Sequence, residues 1–449
     1  MKIKRLSKSG FKKIFAENTL FLILLIGVAL VTFSIGPYQN WDTQVEFEAA
    51  SNVIKMGWPY TGFHQGIIDQ PPFGFYLEAA FFQIFGLSLF VGETLMTLFG
   101  LGTVVVVYLL GKELYGKSTG LFAAMLFGLT PWQLILSRTF LIDVQCLFLS
   151  LSCFYVGVLA IRKNSFNLTL LSGVLFAAAF MTKLYAFFML VPLLLFYLYS
   201  KPKGTKRTLT QIVTFSLPAV ISSFIWYHLV LGGFSSISSH NDFIVKNQSL
   251  VSSPWFVLTF LNDYGIGFFF IIATIFSLGV CFGLRKQFHK IFIYDMLCLT
   301  TITIVLGVDL FLGTGLNLRV PYANAIKYGY QALPFFCLIV ASLAIKSLAL
   351  FRSAKTKLWE KTLFYAGAGA GAFLLIASLI SNMRYANEIT MLNEIVFKPE
   401  RNVEGFHIFN YTPITPDNPL IIAQYVGFAT VLFGVGLKLK SFFRQDSSR

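Results

Sequence analysis

The chain has 449 residues, of which 56% are hydrophobic and only 12% charged, where soluble domains average about 25% charged. A soluble core of this size could not hide so much apolar surface, so lipid is the solvent for much of the protein. The formal charge of +15 would suit a polyanion. The basic residues, however, sit in short clusters between apolar runs, which argues against a nucleic-acid partner.

In chain order, the first apolar run, Thr19 to Ile35, follows a basic stretch and lacks a clear small-residue cleavage site, so it reads as a retained helix. A span needs about 20 mostly apolar residues. Segments 18–36, 89–110, 119–137, 141–161, 166–181, 184–200, 209–230, 255–283, 291–312, 328–350, 362–380 and 420–437 meet that pattern. The expected fold is an all-α polytopic membrane bundle of about 11–13 transmembrane helices. The short pair around Lys183 could also be one bent hairpin. Cys146, Cys153, Cys281, Cys298 and Cys337 lie in or beside apolar runs and read as small buried hydrophobes, not as a disulfide frame or a metal-binding pair.

Alternation of these spans sorts the charges. With a cytoplasmic N-terminus, most of the 35 basic residues fall inside, as the positive-inside bias requires. The exceptions are Lys55, Arg138, Lys183, Lys246, Arg319, Lys327, Arg384, Lys398 and Arg401. Acids such as Asp42, Glu46, Asp69, Glu78 and Asp143 fall outside or at the outer boundary. Both termini are then cytoplasmic, in a plasma membrane, and the longer outer segments are 37–88, 231–254 and 381–419. The division expected is a main membrane module over residues 1–380, followed by a last outer loop, final helix and basic tail over 381–449.

The first outer loop carries the most pattern. Residues 41–56, WDTQVEFEAASNVIKM, place Val45, Ala49, Val53 and Met56 on one apolar stripe, as in a helix lying on a membrane surface. Thr43 with Glu46 three residues on has the form of a capping box, which gives Glu46 a structural explanation. Gly57, Trp58, Pro59 and Tyr60 end that helix. Asp42 reads either as a helix-start acid favoured by the dipole or as a general base at the outer surface. Asp69-Gln70-Pro71-Pro72 then opens a second helix cleanly.

Five stretches, in order and on the expected sides, carry a resemblance. They are WDTQVEFEAASNVIKMGWPY, DQPPFGFYLEAAFFQIFG, VYLLGKELYGKSTGLFAAMLFGLTPWQLILSRTFLID, FMTKLYAF and KYGYQALPFFCLIVAS. The chain resembles the polyprenyl-phosphate-sugar-dependent glycosyltransferases of the GT-C fold, near the protein O-mannosyltransferases and the lipid A aminoarabinose transferases. The likeness covers most of residues 41–143 and thins after residue 200, apart from Lys327-Tyr328 to Pro334. Three departures stand out: Thr43 replaces a usual glutamate, Gln70 a usual lysine, and Glu93 an arginine common in relatives.

The resemblance implies transfer of a sugar, with inversion, from a polyprenyl phosphate to a hydroxyl-type acceptor on a protein, lipid or glycan at the extracytoplasmic face. It implies that Asp42 is the base and places Asp143 with it as a second catalytic carboxylate. Lys183, Arg138, Lys327 and Arg319 become candidates for the donor phosphate, with Glu46, Asp69, Tyr60 and His64 supporting the loop. Cationic groups suit that role because negative charge builds on the leaving phosphate. The plainer alternatives stay open: Lys183 as a snorkelling lysine, and Arg138 with Asp143 as an ion pair closing a hairpin. No cofactor is specified. A divalent metal stays open, because His64, His228 and His240 fall outside or at the outer boundary but no ligand spacing defines a site. Other readings are a transporter or lipid-linked-glycan flippase, disfavoured by the lack of internal repeats, and a polysaccharide polymerase or ligase.

Overall fold

A computed structural model of the chain describes residues 8–34, 41–62, 66–67, 70–200, 205–232, 289–314, 329–351, 426–427 and 429–430. The expected spans 255–283 and 362–380, most of 420–437, and the candidates His64, Asp69, His240, Arg319 and Lys327 lie outside the described residues.

The described residues are almost all helical. Helix α1 runs Lys8–Ser34 and α2 runs Trp41–Met56. A two-residue antiparallel pairing of β1 (Tyr60–Thr61) with β2 (Gly66–Ile67) follows. Next come α3 (Phe73–Phe85), α4 (Leu89–Tyr115), α5 (Lys117–Leu129), α6 (Pro131–Ser137), α7 (Ile142–Lys163) and α8 (Phe166–Phe180). A 3-10 turn, Leu184–Met189, leads into α9 (Leu190–Ser200), and α10 (Thr205–Ser223) continues as a π-helical segment, Phe224–Val230. Helices α11 (His289–Thr314) and α12 (Leu333–Phe351) complete the described bundle, with a 3-10 turn at Tyr330–Ala332 before α12.

Segments Leu89–Tyr115, Ile142–Lys163 and Thr208–Val230 are long and apolar enough to cross a membrane. On α10, Leu209, Ile212, Val213, Leu217 and Val220 are all exposed, the surface a lipid-facing helix presents. The expected single span 119–137 is corrected to two helices. Thr130 takes an extended conformation (φ −67°, ψ 131°) between α5 and α6, because the ring of Pro131 disfavours the helical region for the residue before it.

The interior is built on α4, α5, α7 and α12, whose apolar residues form one continuous core. Small residues set the closest approaches. A Cβ on Gly120 would stand 2.6 Å from the carbonyl oxygen of Tyr108, and one on Gly173 would stand 2.3 Å from that of Phe215. These glycines let α5 lie on α4 and α8 on α10.

Charged residues meet at both ends of α7. Asp143 lies in its first turn and Arg162 in its last, about 29 Å apart at 1.5 Å per residue, close to the roughly 30 Å of a hydrocarbon core. At the Arg162 end, its guanidinium pairs with Glu113 at 2.6 Å and donates to Tyr294 at 2.9 Å. Lys346 of α12 forms a buried pair with Asp295 of α11.

Candidate active site

The first turn of α7 is where the loop elements converge. Helix α2 lies over it through an apolar cluster of Ala49, Phe75 and Ile142, with Val45 and Val53 packed alongside. The ring of Phe47 meets those of Phe82 and Phe140 at 5.5 and 6.0 Å between centroids, an edge-on geometry that adds to simple burial. The β1 turn hangs from the same helix: Asn52 Nδ2 donates to the Tyr60 carbonyl at 2.9 Å, and the Gly62 amide donates to Glu48 Oε1 at 3.0 Å. Tyr60 is thus tied to α2 through its backbone carbonyl.

Glu46 does something the local pattern does not indicate. Helix α2 begins at Trp41, so Thr43 lies within its first turn and not at the cap position. Glu46 Oε2 accepts the backbone amide of Ile142 at 2.9 Å. Its carboxylate therefore satisfies an orphan donor at the start of α7, where the helix dipole also favours an anion. The capping-box expectation is corrected: Glu46 caps a helix far along the chain. Asp42, half-buried, precedes it by one turn on the same face of α2.

Lys183 sits where helix α8 gives way to the 3-10 turn, with an extended backbone (φ −157°, ψ 134°). Its ammonium donates to Asp143 Oδ2 at 2.6 Å, and the Tyr185 hydroxyl donates to Asp143 Oδ1. Lys183 also stands 5.3 Å from the centre of the Tyr185 ring, within cation–π range. Asp143 is fully buried, and Lys183 is 9% exposed. A charge so placed needs a partner with good geometry. The break that carries Lys183 is itself tied down: the Phe73 amide at the start of α3 donates to the Met181 carbonyl at 2.8 Å. Gly74 is closely packed: a Cβ there would press on Ile142 Cγ2 at 3.0 Å and Thr182 Cγ2 at 3.1 Å.

The structure therefore brings Asp143, Lys183 and Glu46 together and decides against the alternative in which Asp143 pairs with Arg138. Its ion pair is with Lys183, not Arg138. Arg138 closes α6 and is buried beside the Phe33 ring at 5.8 Å. Its Nη1 donates to Thr97 Oγ1 at 3.4 Å. Burial lowers its pKa, while the Glu93 anion works in the opposite sense. The acid that departs from the family pattern thus faces the arginine. His228 lies in the π-helical segment, its ring 4.9 Å from that of Phe224 and tilted 30° to it. Among the described residues no group of three or more histidine, cysteine or acidic side chains is arranged to hold a metal.

Tyr185 and Tyr330 are functional candidates that sequence reasoning passed over. Tyr330, buried, donates to Gln133 Oε1 and lies within the electrostatic reach of Asp143. Both stand in quoted family stretches, FMTKLYAF and KYGYQALPFFCLIVAS, so the signal was present.

Comparison with known proteins bears on the fold. Residues 69–227 match the family model of dolichyl-phosphate-mannose-protein mannosyltransferases. YkcB and YycA of Bacillus subtilis (strain 168), both provisionally named mannosyltransferases, are 26% and 27% identical over 210 and 207 residues. The matches span 45% and 44% of this chain but only 29% and 30% of those proteins. Among solved structures, the apo form of ArnT from Cupriavidus metallidurans superposes with a TM-score of 0.52 at 13% identity, covering 93% of this chain and 77% of that one. The oligosaccharyltransferase AglB from Archaeoglobus fulgidus, solved with an inhibitory peptide and a dolichol-phosphate, gives 0.52 at 13% identity, covering 84% of this chain and 56% of that one. ArnT bound to undecaprenyl phosphate gives 0.50 at 12% identity, covering 95% and 77%. The chain is a membrane protein with the GT-C glycosyltransferase fold, and its residues 69–227 carry the sequence pattern of the dolichyl-phosphate-mannose-protein mannosyltransferases.

Proposed function

We propose that the chain transfers a sugar from a polyprenyl-phosphate carrier to a hydroxyl-type acceptor at the extracytoplasmic face, with inversion at the anomeric carbon. The observation that carries this reading is Lys183, a buried cation held by Asp143 and Tyr185 at a break between helices. A preorganised cation there lowers the barrier to departure of a phosphate.

In the transfer, the acceptor oxygen forms a bond to the anomeric carbon as the bond from that carbon to the phosphate oxygen breaks. The electron pair leaves with the polyprenyl phosphate, whose growing charge Lys183 meets as a point charge. The acceptor proton goes to Asp42, one helical turn from Glu46 on the face of α2 that covers the start of α7. Asp143 holds Lys183 in place instead of taking the proton, because both of its oxygens already accept hydrogen bonds. Lys327 and Arg319, which precede the buried Tyr330, are further phosphate contacts in this reading. Arg138, with Glu93 acting on it, braces α6.

The separation of the two charged ends of α7 by about one hydrocarbon thickness supports placing Asp143 and Arg162 on opposite membrane faces. The positive-inside bias supports the outer face for Asp143. The partners are then the lipid-linked sugar donor, an acceptor protein, lipid or glycan, and the surrounding lipids.

The test is turnover of a radiolabelled polyprenyl-phosphate sugar by the full chain in reconstituted vesicles. Asp42→Asn should abolish turnover with membrane insertion intact, and a fully active Asn variant removes Asp42 from the mechanism. Labelling of a cysteine placed at position 42 from the cytosolic side would overturn the assignment of faces.

A further inference from the structure

Helix α3 carries an acid that neither the loop nor the Asp143–Lys183 pair uses. Glu78 is fully buried, in the apolar run FGFYLEAAFFQIF. Its Oε1 accepts from Gln145 Nε2 at 2.6 Å, across the contact of α3 with α7. Among the described residues, its other oxygen, Oε2, has no hydrogen-bond partner, and neither has Gln145 Oε1. Gln145 is fully buried as well. Two buried acceptors on adjoining groups, each lacking a donor, are what a carboxylate beside a carboxamide leaves over. One proton on Glu78 Oε2 supplies the missing donor, and the two planar groups then share a pair of antiparallel hydrogen bonds.

We propose that Glu78 is carried as a neutral carboxylic acid in a cyclic pair with Gln145, and that this pair seats α3 on α7 so that the Asp143–Lys183 site keeps its shape. The positioning part of this claim rests on the reading of Lys183 given above; the protonation part does not. Gln145 follows Asp143 by two residues on α7. Helix α3 also fixes the Lys183 break through the Phe73 amide and the close fit of Gly74. Loosening α3 therefore reaches the site from two directions. Among the described residues, the charged group that acts on Glu78 from the elements packed around it is Glu46 on α2. Burial and the Glu46 anion both hold the Glu78 carboxyl well above the usual carboxylate range, with the Gln145 hydrogen bond acting against them. The direction agrees with the geometry.

The experiment uses the full chain in lipid nanodiscs. Infrared difference spectra of wild type against Glu78→Gln at neutral pH should show one protonated carboxylic C=O band belonging to Glu78. Absence of that band overturns the proposal. Glu78→Gln keeps both hydrogen bonds as an amide–amide pair and should hold thermal stability and donor turnover near wild type, whereas Gln145→Glu should lower the thermal midpoint and lose more than about tenfold in turnover. The exchanged double variant E78Q/Q145E restores an acid–amide pair and should recover that loss. Failure of the double variant to recover stability overturns the pairing, whatever the chain's activity. A stable double variant that lacks turnover overturns only the positioning role.

Discussion

Glu46 Oε2 and the amide of Ile142 meet at 2.9 Å although 96 residues separate them. One hydrogen bond thus joins the surface helix α2 to the transmembrane helix α7, at the turn that carries Asp143. Glu46 is 3% exposed, so removing its carboxylate leaves the Ile142 amide without an acceptor and without water. Glu46→Ala should cost about 1–3 kcal/mol, read as a lower thermal midpoint of the full chain in detergent. Glu46→Gln, which keeps an acceptor oxygen, should recover most of that loss.

Helix identity and approximate extent were readable from apolar runs, and α2 was readable to its ends because Gly57, Trp58 and Pro59 interrupt a clear stripe. The break at Lys183 was also visible, as a cation and a threonine inside apolar sequence. Partnerships were not. Asp143 and Lys183 are 40 residues apart, and nothing in a hydropathy pattern distinguishes Lys183 from Arg138, five residues from Asp143, as its counter-ion. Glu46 satisfied a local capping rule so well that its long-range role was hidden. The split of α5 from α6 was legible in Thr130-Pro131, but composition alone runs across it. Glu78 falls with the outer acids by its place in the chain, although its apolar context in α3 marks it as buried.

The Asp143–Lys183 pair makes a prediction that separates stability from chemistry. Removing one partner leaves the other charge buried and uncompensated, which costs about 3–5 kcal/mol. Asp143→Asn and Lys183→Met should each lower the thermal midpoint and reduce expression. The double variant should regain stability, giving a large coupling in a double-mutant cycle, yet it should remain inactive in sugar transfer. Additive losses would show that the two residues do not act as a pair.

Gly74 tests whether the fit of α3 against the Lys183 break matters. An added methyl would press on Ile142 Cγ2 and Thr182 Cγ2 at 3.0 and 3.1 Å, and overpacking of this kind costs about 1–3 kcal/mol. Gly74→Ala should weaken use of the lipid-linked donor, seen as a raised KM, beyond its effect on stability. Gly120→Ala provides the contrast. Its Cβ would strike the backbone of α4 near Tyr108 and Lys112, away from Asp143 and Lys183, so it should lower the thermal midpoint without selectively changing donor dependence.

The pH dependence of stability follows from Glu78. Its carboxyl is raised by burial first and by the Glu46 anion second, so the folded chain holds a proton that the unfolded chain releases at lower pH. The stability linked to that proton is fully present below the unfolded value and is lost as pH rises through the folded one. Replacing Glu46 by Gln removes the repelling charge but leaves the burial, so the folded value falls part of the way back. The alkaline limb of the thermal-midpoint curve should therefore be shallower and end at lower pH in Glu46→Gln than in the wild type. In Glu78→Gln that limb should be absent. A limb that stays in place when Glu46 is neutralised would mean that the anion on α2 does not act on α3, and that Glu78 owes its proton to burial alone.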